Sequence, residues 1–428
     1  MKQTAVQKIL ARHAGKDTVA AGEFVSATVD LLMINDISGP LAASAWRAAG
    51  FERVWDRDKI VVVESHHTPA KDIATAEMVK TIRRTFVEPY GIRLHFHEGS
   101  GGIEHAILPE QGLVLPGELI IGGDSHTCTY GALGCFATGV GSTDCAVVAA
   151  TGRIWLRVPE TIKVTFTGRR RPWVTGKDLA LRLAGAIGVE GANYQVLEYH
   201  GDAVTGLEVE ERLTIANMAT EAQAKAGFFH VDDKTRGYLD GRAARTWTAV
   251  SSDPDACYTR EVTIDVSDLE PQVAFPFSPD NVHPLSEAIG IRVDEVFIGS
   301  CTNARISDLR QAARILKGKK VHPRVRCIVI PASNAIYRQA MREGLAEIFI
   351  EAGCAFSTST CGPCAGGHMG VLGSDEVCLS TSNRNFPGRM GHKTARVYLA
   401  SPSIAAATAV MGHIAHPSGL VAAEEMSR

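Results

Sequence analysis

Glu295-Val296-Phe297-Ile298-Gly299-Ser300-Cys301-Thr302-Asn303 is a short apolar run that breaks into glycine, hydroxyls, a thiol and an amide. An apolar stripe at Leu309, Ala312, Ile315 and Leu316 follows, then Gly318, which together predict an amphipathic helix with a glycine stop. Strand, polar turn and helix in succession is the signature of an α/β protein. The same unit recurs on both sides. Lys59–Glu64, Arg93–Phe96, Glu118–Ile121, Ile162–Phe166, Arg326–Ile330 and Val377–Leu379 read as strands. Thr68-Pro69 offers an N-cap and a proline at the first turn of a helix through Ile73, Ala76, Val79 and Ile82. Polar clusters gather just past these strands, where open α/β sheets bind ligands.

The chain has 428 residues, enough for about three domains. A change of texture at Pro159 and a low-regularity stretch at Asp253-Pro254-Asp255 and from Pro271 to Pro284 divide it into 1–158, 159–270 and 271–428. A formal charge of −3 without a long basic run argues against nucleic acid as a partner. No stretch is apolar for long enough to predict a membrane span. Residues 1–10 lack a signal-peptide apolar region and read as a short amphipathic helix ending near Gly15. Ten cysteines in that context predict a reducing, cytoplasmic setting, where thiols serve as ligands, nucleophiles or core filler.

Three constellations carry chemistry. Cys361-Gly362-Pro363-Cys364 is a tight turn that can point two sulfurs into one concavity, and Cys301 lies on a second glycine-containing loop. A lone CxxC serves as a redox dithiol or half a zinc site. Three thiolates on an iron–sulfur cubane would instead leave one iron open as a Lewis acid. Spacing alone leaves zinc, redox, cluster and inert thiols open. Cys128, Cys135 and Cys145, among Gly and Ala, read as small buried residues. Arg384 and Arg389 flank Asn-Phe-Pro-Gly and suit the carboxylates of a small di- or tricarboxylate, or else are ordinary surface arginines. His66, His105 and His126 each follow a different strand beside an acidic group or hydroxyl, as proton donors or acceptors would.

Asp124-Ser125-His126-Thr127-Cys128-Thr129, Gly299–Asn303, Cys361–Cys364 and Asn383-Arg384-Asn385-Phe386-Pro387-Gly388-Arg389, in that order, resemble the aconitase superfamily. The resemblance covers nearly the whole chain. Within the superfamily, Val158–Lys163 and Gly131–Gly141 are similar to the large subunits of the 3-isopropylmalate dehydratase and homoaconitase branch. It implies three α/β/α domains around a [4Fe-4S] cluster, one per subunit, with one iron not ligated by protein. It also implies a swivelling fourth domain on a separate small subunit, in a heterodimer or heterotetramer. Carried over by position, Cys301, Cys361 and Cys364 would hold the cluster. Arg384, Arg389, Ser125, Asn303 and Asn383 would line the substrate or cluster edge. His105 with Asp124, and His126 with Glu198, would be carboxylate–histidine pairs. The serine base of the family would lie in the fourth domain. One position departs: where the family carries Asp-His, this chain reads Ser65-His66, with Glu64 pointed to the opposite face by strand alternation.

These readings predict a hydro-lyase acting on a small hydroxy-dicarboxylic acid. Isopropylmalate, homocitrate, 2,3-dimethylmalate, citramalate and maleate all share the diacid core. Ser65 and the fourth domain's place outside this chain motivate a non-catalytic iron–sulfur regulatory protein as the alternative. A redox dithiol enzyme would leave Cys301 and the arginines without a role.

Overall fold

The computed structural model describes residues 2–421. Three predominantly parallel sheets occupy successive stretches, with helices packed between and around them. The first sheet has five parallel strands, in spatial order Leu94–Phe96, Ile60–Val63, Leu31–Asn35, Leu119–Gly122 and Phe136–Gly139. The second has four, Ala226–Phe229, Val196–His200, Thr161–Thr167 and Arg260–Asp265. The third places Arg396–Leu399, Val377–Ser380, Glu295–Ile298, Arg326–Val329 and Ala355–Phe356 in parallel. Antiparallel strands Gln272–Ala274 and Val282–Pro284 extend its edge. The expected α/β class is therefore the observed one. Strands lie inside the stretch that reads as irregular: Arg260–Asp265 closes the second sheet, and the two short antiparallel strands belong to the third.

The first and third sheets share one winding. Among the five parallel strands of each, the chain lays down three in one direction, then returns to add two on the other side of the first of them. The order reverses between Leu31–Asn35 and Leu119–Gly122 in the first, and between Glu295–Ile298 and Val377–Ser380 in the third. Crevices form at such reversals, outside the carboxyl ends of the strands. The residues there are Asp36 and Asp124 in one sheet, Cys301, Asn383 and Arg384 in the other.

The strands are buried on both faces, as sheets covered by helices require: Leu31–Asn35, Ile60–Val63 and Glu295–Ile298 are buried throughout. The helix predicted through Leu309 is Ile306–Leu316, packing Leu309, Ala312, Ile315 and Leu316 inward. Gly318 follows it at φ +70°, a left-handed conformation glycine adopts without penalty. The helix predicted after Thr68 is Ile73–Ile82, but its cap is Asp72, whose carboxylate accepts the Thr75 N–H at 2.8 Å. Thr68 instead donates to the Glu64 carbonyl. Glu64 turns away from its neighbour Ser65, as alternation predicts, and pairs with Arg83 and His95. Cys128, Cys135 and Cys145 are core residues. Among the described residues, no helix is long and apolar enough to cross a membrane.

Candidate active site

Asp36 follows the central strand of the first sheet and is fully buried. Its carboxylate accepts the backbone N–H groups of Ser65, His66 and His67, and lies 3.3 Å from His66 Nδ1. Ser65 Oγ is 2.9 Å from the same nitrogen. The expectation that His66 has only a neutral hydroxyl beside it is therefore corrected: the carboxylate arrives from a different strand. Burial works against charge on both groups. The His66 hydrogen bond nevertheless holds Asp36 below the usual carboxylate range, and Cys361, Glu104 and Asp36 raise His66 well above an ordinary imidazole.

At the neighbouring strand end, His105 Nε2 meets Asp124 Oδ1 at 2.9 Å, as expected, and its Nδ1 lies 3.2 Å from the Tyr130 hydroxyl. Asp124 Oδ1 also accepts the His126 N–H at 2.7 Å. Burial opposes ionisation of Asp124, but its bonds to His105 and His126 hold it well below the usual range. Ser125 is exposed, its hydroxyl 3.4 Å from His126 Nδ1. Glu104 is buried, takes the Asn35 amide at 3.0 Å on one oxygen, and leaves the other without a partner.

The pairing of His126 with Glu198 is overturned. His126 Nε2 is 2.8 Å from Glu221, and the Arg384 Nε–H donates to both Glu221 oxygens at 3.0 and 2.9 Å. Burial disfavours charge on Glu221; His126 and Arg384 overcome it and keep the carboxyl ionised. Glu198 sits elsewhere in the second sheet, among His200, His230, Ser252 and Tyr258.

The third sheet supplies the sulfurs. Cys301 Sγ takes amide N–H donors from Asn217 at 3.1 Å and Asn383 at 3.3 Å. Ser300 Oγ is 3.3 Å from Cys364 Sγ and 3.9 Å from Cys301 Sγ, so these two sulfurs flank one hydroxyl. Cys361 is tied to the histidine loop: its N–H and the Thr360 hydroxyl both donate to the Ser65 carbonyl at 3.0 Å. Gly362 turns the chain at φ +58°, and a Cβ there would meet Ile330 at 2.4 Å. Without a metal, burial raises Cys301 above the ordinary thiol range and pushes Cys361 up to about 12. Buried Lys177, donating to the Thr381 and Ser382 carbonyls, is pushed down to about 8 by the same desolvation. Asn303 is buried, donates to Asp308 at 3.1 Å and leaves its carbonyl oxygen unpaired; Arg389 Nε is likewise buried and unpaired.

This set fits an iron–sulfur cluster. Three thiols are buried, and two of them, Cys301 and Cys364, receive amide or hydroxyl contacts of the kind that stabilise sulfur charge. The unpaired oxygens of Glu104 and Asn303 and the Arg389 N–H are polar atoms that protein groups leave unsatisfied, a state that otherwise costs free energy. Sequence reading missed Asp36, Glu104, Tyr130, Asn217 and Glu221. A signal existed for Asp36: Asn35-Asp36 after Leu31-Leu32-Met33-Ile34 repeats the strand-then-polar pattern. Glu221 lies in the 3₁₀ turn Met218–Ala222, where no periodicity marks it.

Residues 7–412 match the aconitase family (aconitate hydratase). The chain is 56% identical over 432 residues to the 3-isopropylmalate dehydratase large subunit of Aquifex aeolicus, covering 100% of both chains. It is 56% identical over 417 residues to the same-named subunit of Hydrogenobaculum sp., covering 97% of this chain and 98% of that one. Identity to the 3-isopropylmalate dehydratase large subunit 1 of Pyrococcus furiosus is 54% over 420 residues, 98% and 99% of the two chains. With its match spanning nearly every residue and its strand-end loops converging on one site, the chain belongs to the aconitase family.

Proposed function

We propose that the chain is the large, cluster-bearing subunit of a hydro-lyase that interconverts 2-isopropylmalate and 3-isopropylmalate. The observation that carries this is the meeting of three buried thiols with a carboxylate–histidine system and Arg384 at two facing strand ends. The names of the full-length relatives supply the substrate. Cys301, Cys361 and Cys364 would hold a [4Fe-4S] cluster, with one iron free of protein ligands. When bound, that cluster supplies Lewis acidity toward a substrate hydroxyl and carboxylate.

The chain's own groups do the rest. Arg389 and Arg384 hold substrate carboxylates, Arg384 being aimed by Glu221. His66 delivers a proton to the departing hydroxyl, and Asp36 balances the imidazolium. His105 and His126, fixed by Asp124 and Glu221, orient the diacid and exchange protons with water. Ser125, Asn303 and Asn383 complete the wall. A separate small subunit brings the fourth domain and the base that takes the carbon-bound proton. The three-domain division at about residues 158 and 270 belongs to the same reading. Asp36 beside His66 answers one of the two grounds for a non-catalytic regulator, since Ser65 leaves the histidine with its carboxylate.

The test is anaerobic reconstitution with iron and sulfide, mixing with the small subunit, and a diacid panel followed by alkene absorbance. A brown protein that turns over isopropylmalate is expected. A colourless chain that binds zinc at the thiols and dehydrates no diacid would overturn the proposal.

A further inference from the structure

Glu198 and His200 lie two residues apart on the strand Val196–His200 and so share one face of the second sheet. The neighbouring strand pairs Phe228 with Glu198 and Phe229 with Tyr199, which brings His230 beside His200. Both imidazoles turn Nε2 to the same carboxylate oxygen, His200 at 2.9 Å and His230 at 3.0 Å. Tyr258 OH reaches that oxygen at 2.7 Å, and Ser252 Oγ at 2.8 Å, with the other oxygen 2.9 Å from Ser252. Four polar groups therefore crowd one oxygen that has two lone pairs.

We propose that Glu198, His200 and His230 form a second metal site, distinct from the cysteine site, that takes one first-row divalent transition ion such as Zn²⁺. Two histidines and one carboxylate are a donor set suited to these ions. Two ligands about 2.1 Å from an ion at the tetrahedral angle are about 3.4 Å apart, so the Nε2-to-oxygen separations of 2.9 and 3.0 Å would open by about half an ångström on binding. The three ligand atoms all lie within 4.8 Å of one another. Glu198 is wholly buried while the histidine side chains are 26% and 27% exposed, giving an ion a path in. Each histidine would ligate through Nε2 with its proton on Nδ1, and the hydroxyls of Ser252 and Tyr258 would orient the carboxylate. Lys163, the nearby cation on the adjoining strand, is directed to the Tyr258 ring at 5.6 Å and to Glu261 at 3.7 Å. The ion would join two strands and, through Ser252 and Tyr258, the loop that precedes the edge strand.

The experiment uses the cluster-loaded chain, so that the thiols are already occupied, titrated anaerobically with Zn²⁺ in metal-free buffer. Calorimetry and elemental analysis after gel filtration should give about one zinc per chain, and zinc should raise Tm. His200→Ala should weaken binding about a hundredfold or more and abolish the Tm shift. So should His230→Gln, which still offers Glu198 an N–H and guards against a folding defect. The zinc-free variants should keep the iron content and zinc-free Tm of the parent. Zinc that fails to bind, or binds equally well to both variants, would show a hydrogen-bonded hub only and overturn the proposal.

Discussion

Asp36 grips His66 twice, through its backbone N–H and across 3.3 Å to its Nδ1, although the two residues belong to different strand ends. A carboxylate in that place sets the tautomer of the ring and stabilises its protonated form. Asp36→Asn should therefore lower kcat of the reconstituted complex about a hundredfold while leaving iron content unchanged. Ser65→Ala should cost far less. Steady-state kinetics of both variants check this, and a Ser65→Ala loss as large as that of Asp36→Asn would restore the hydroxyl as the group that matters.

Glu221 and Glu198 separate the site from its surroundings. Glu221→Gln removes the charge that aims both His126 and Arg384, so kcat/KM for the diacid should fall about a hundredfold. Glu198→Gln touches neither residue and should leave kcat unchanged while lowering Tm. Parallel kinetics and thermal melts of the two variants distinguish them.

Arg212 is a buried cation, its side chain 1% exposed, held by Asp232 at 2.9 and 2.6 Å. Asp232 also caps the helix Asp233–Leu239 through the Thr235 N–H. Asp232→Ala strands the guanidinium and should destabilise the chain by about 3 kcal/mol. The arginine overcomes a desolvation penalty and brings the Asp232 carboxyl down to about 2 from an ordinary 3.8. A depressed carboxyl stabilises above its unfolded value and loses that contribution as pH falls from 3.8 through about 2. Because Asp232 is partly exposed, screening limits this part to about 1 kcal/mol. Chemical denaturation of the apo chain at pH 3 and pH 6 should show a larger pH loss for the parent than for Asp232→Asn.

Gly362→Ala places a methyl in a left-handed turn and against Ile330. The backbone strain alone is about 1–2 kcal/mol. The thiols it would displace are those of Cys361 and Cys364, so reconstituted iron per chain should fall by more than half, read by visible absorbance and iron analysis. Full iron loading would mean the turn relaxes without moving the sulfurs.

The strand-end loops were readable because buried parallel strands announce themselves as β-branched runs, and what interrupts such a run is conspicuous. Glu295–Ile298 ending in Cys301 and Glu118–Ile121 ending in Asp124 are examples. Pairings between loops were not readable. His126 finds its carboxylate on Glu221, 95 positions away in a 3₁₀ turn that has no apolar rhythm. Glu198, a lone acid inside Val196-Leu197-Glu198-Tyr199, takes that place when positions are carried over from the family resemblance. The structure turns it toward histidines on its own sheet. Asp36 was missed along with its strand, Leu31–Asn35, which is the centre of the first sheet.

Thr360 and Cys361 reach across 295 and 296 positions to the one carbonyl of Ser65. Contacts so distant in sequence close late, after the entropy of a long loop has been overcome. Beyond its own local bonds, the sulfur-bearing turn is thus steadied by an amino-terminal sheet that has formed and docked. Metal loading then becomes a checkpoint on maturation: a nascent or misdocked chain would present scattered thiols, and only a finished one would offer a nest worth filling.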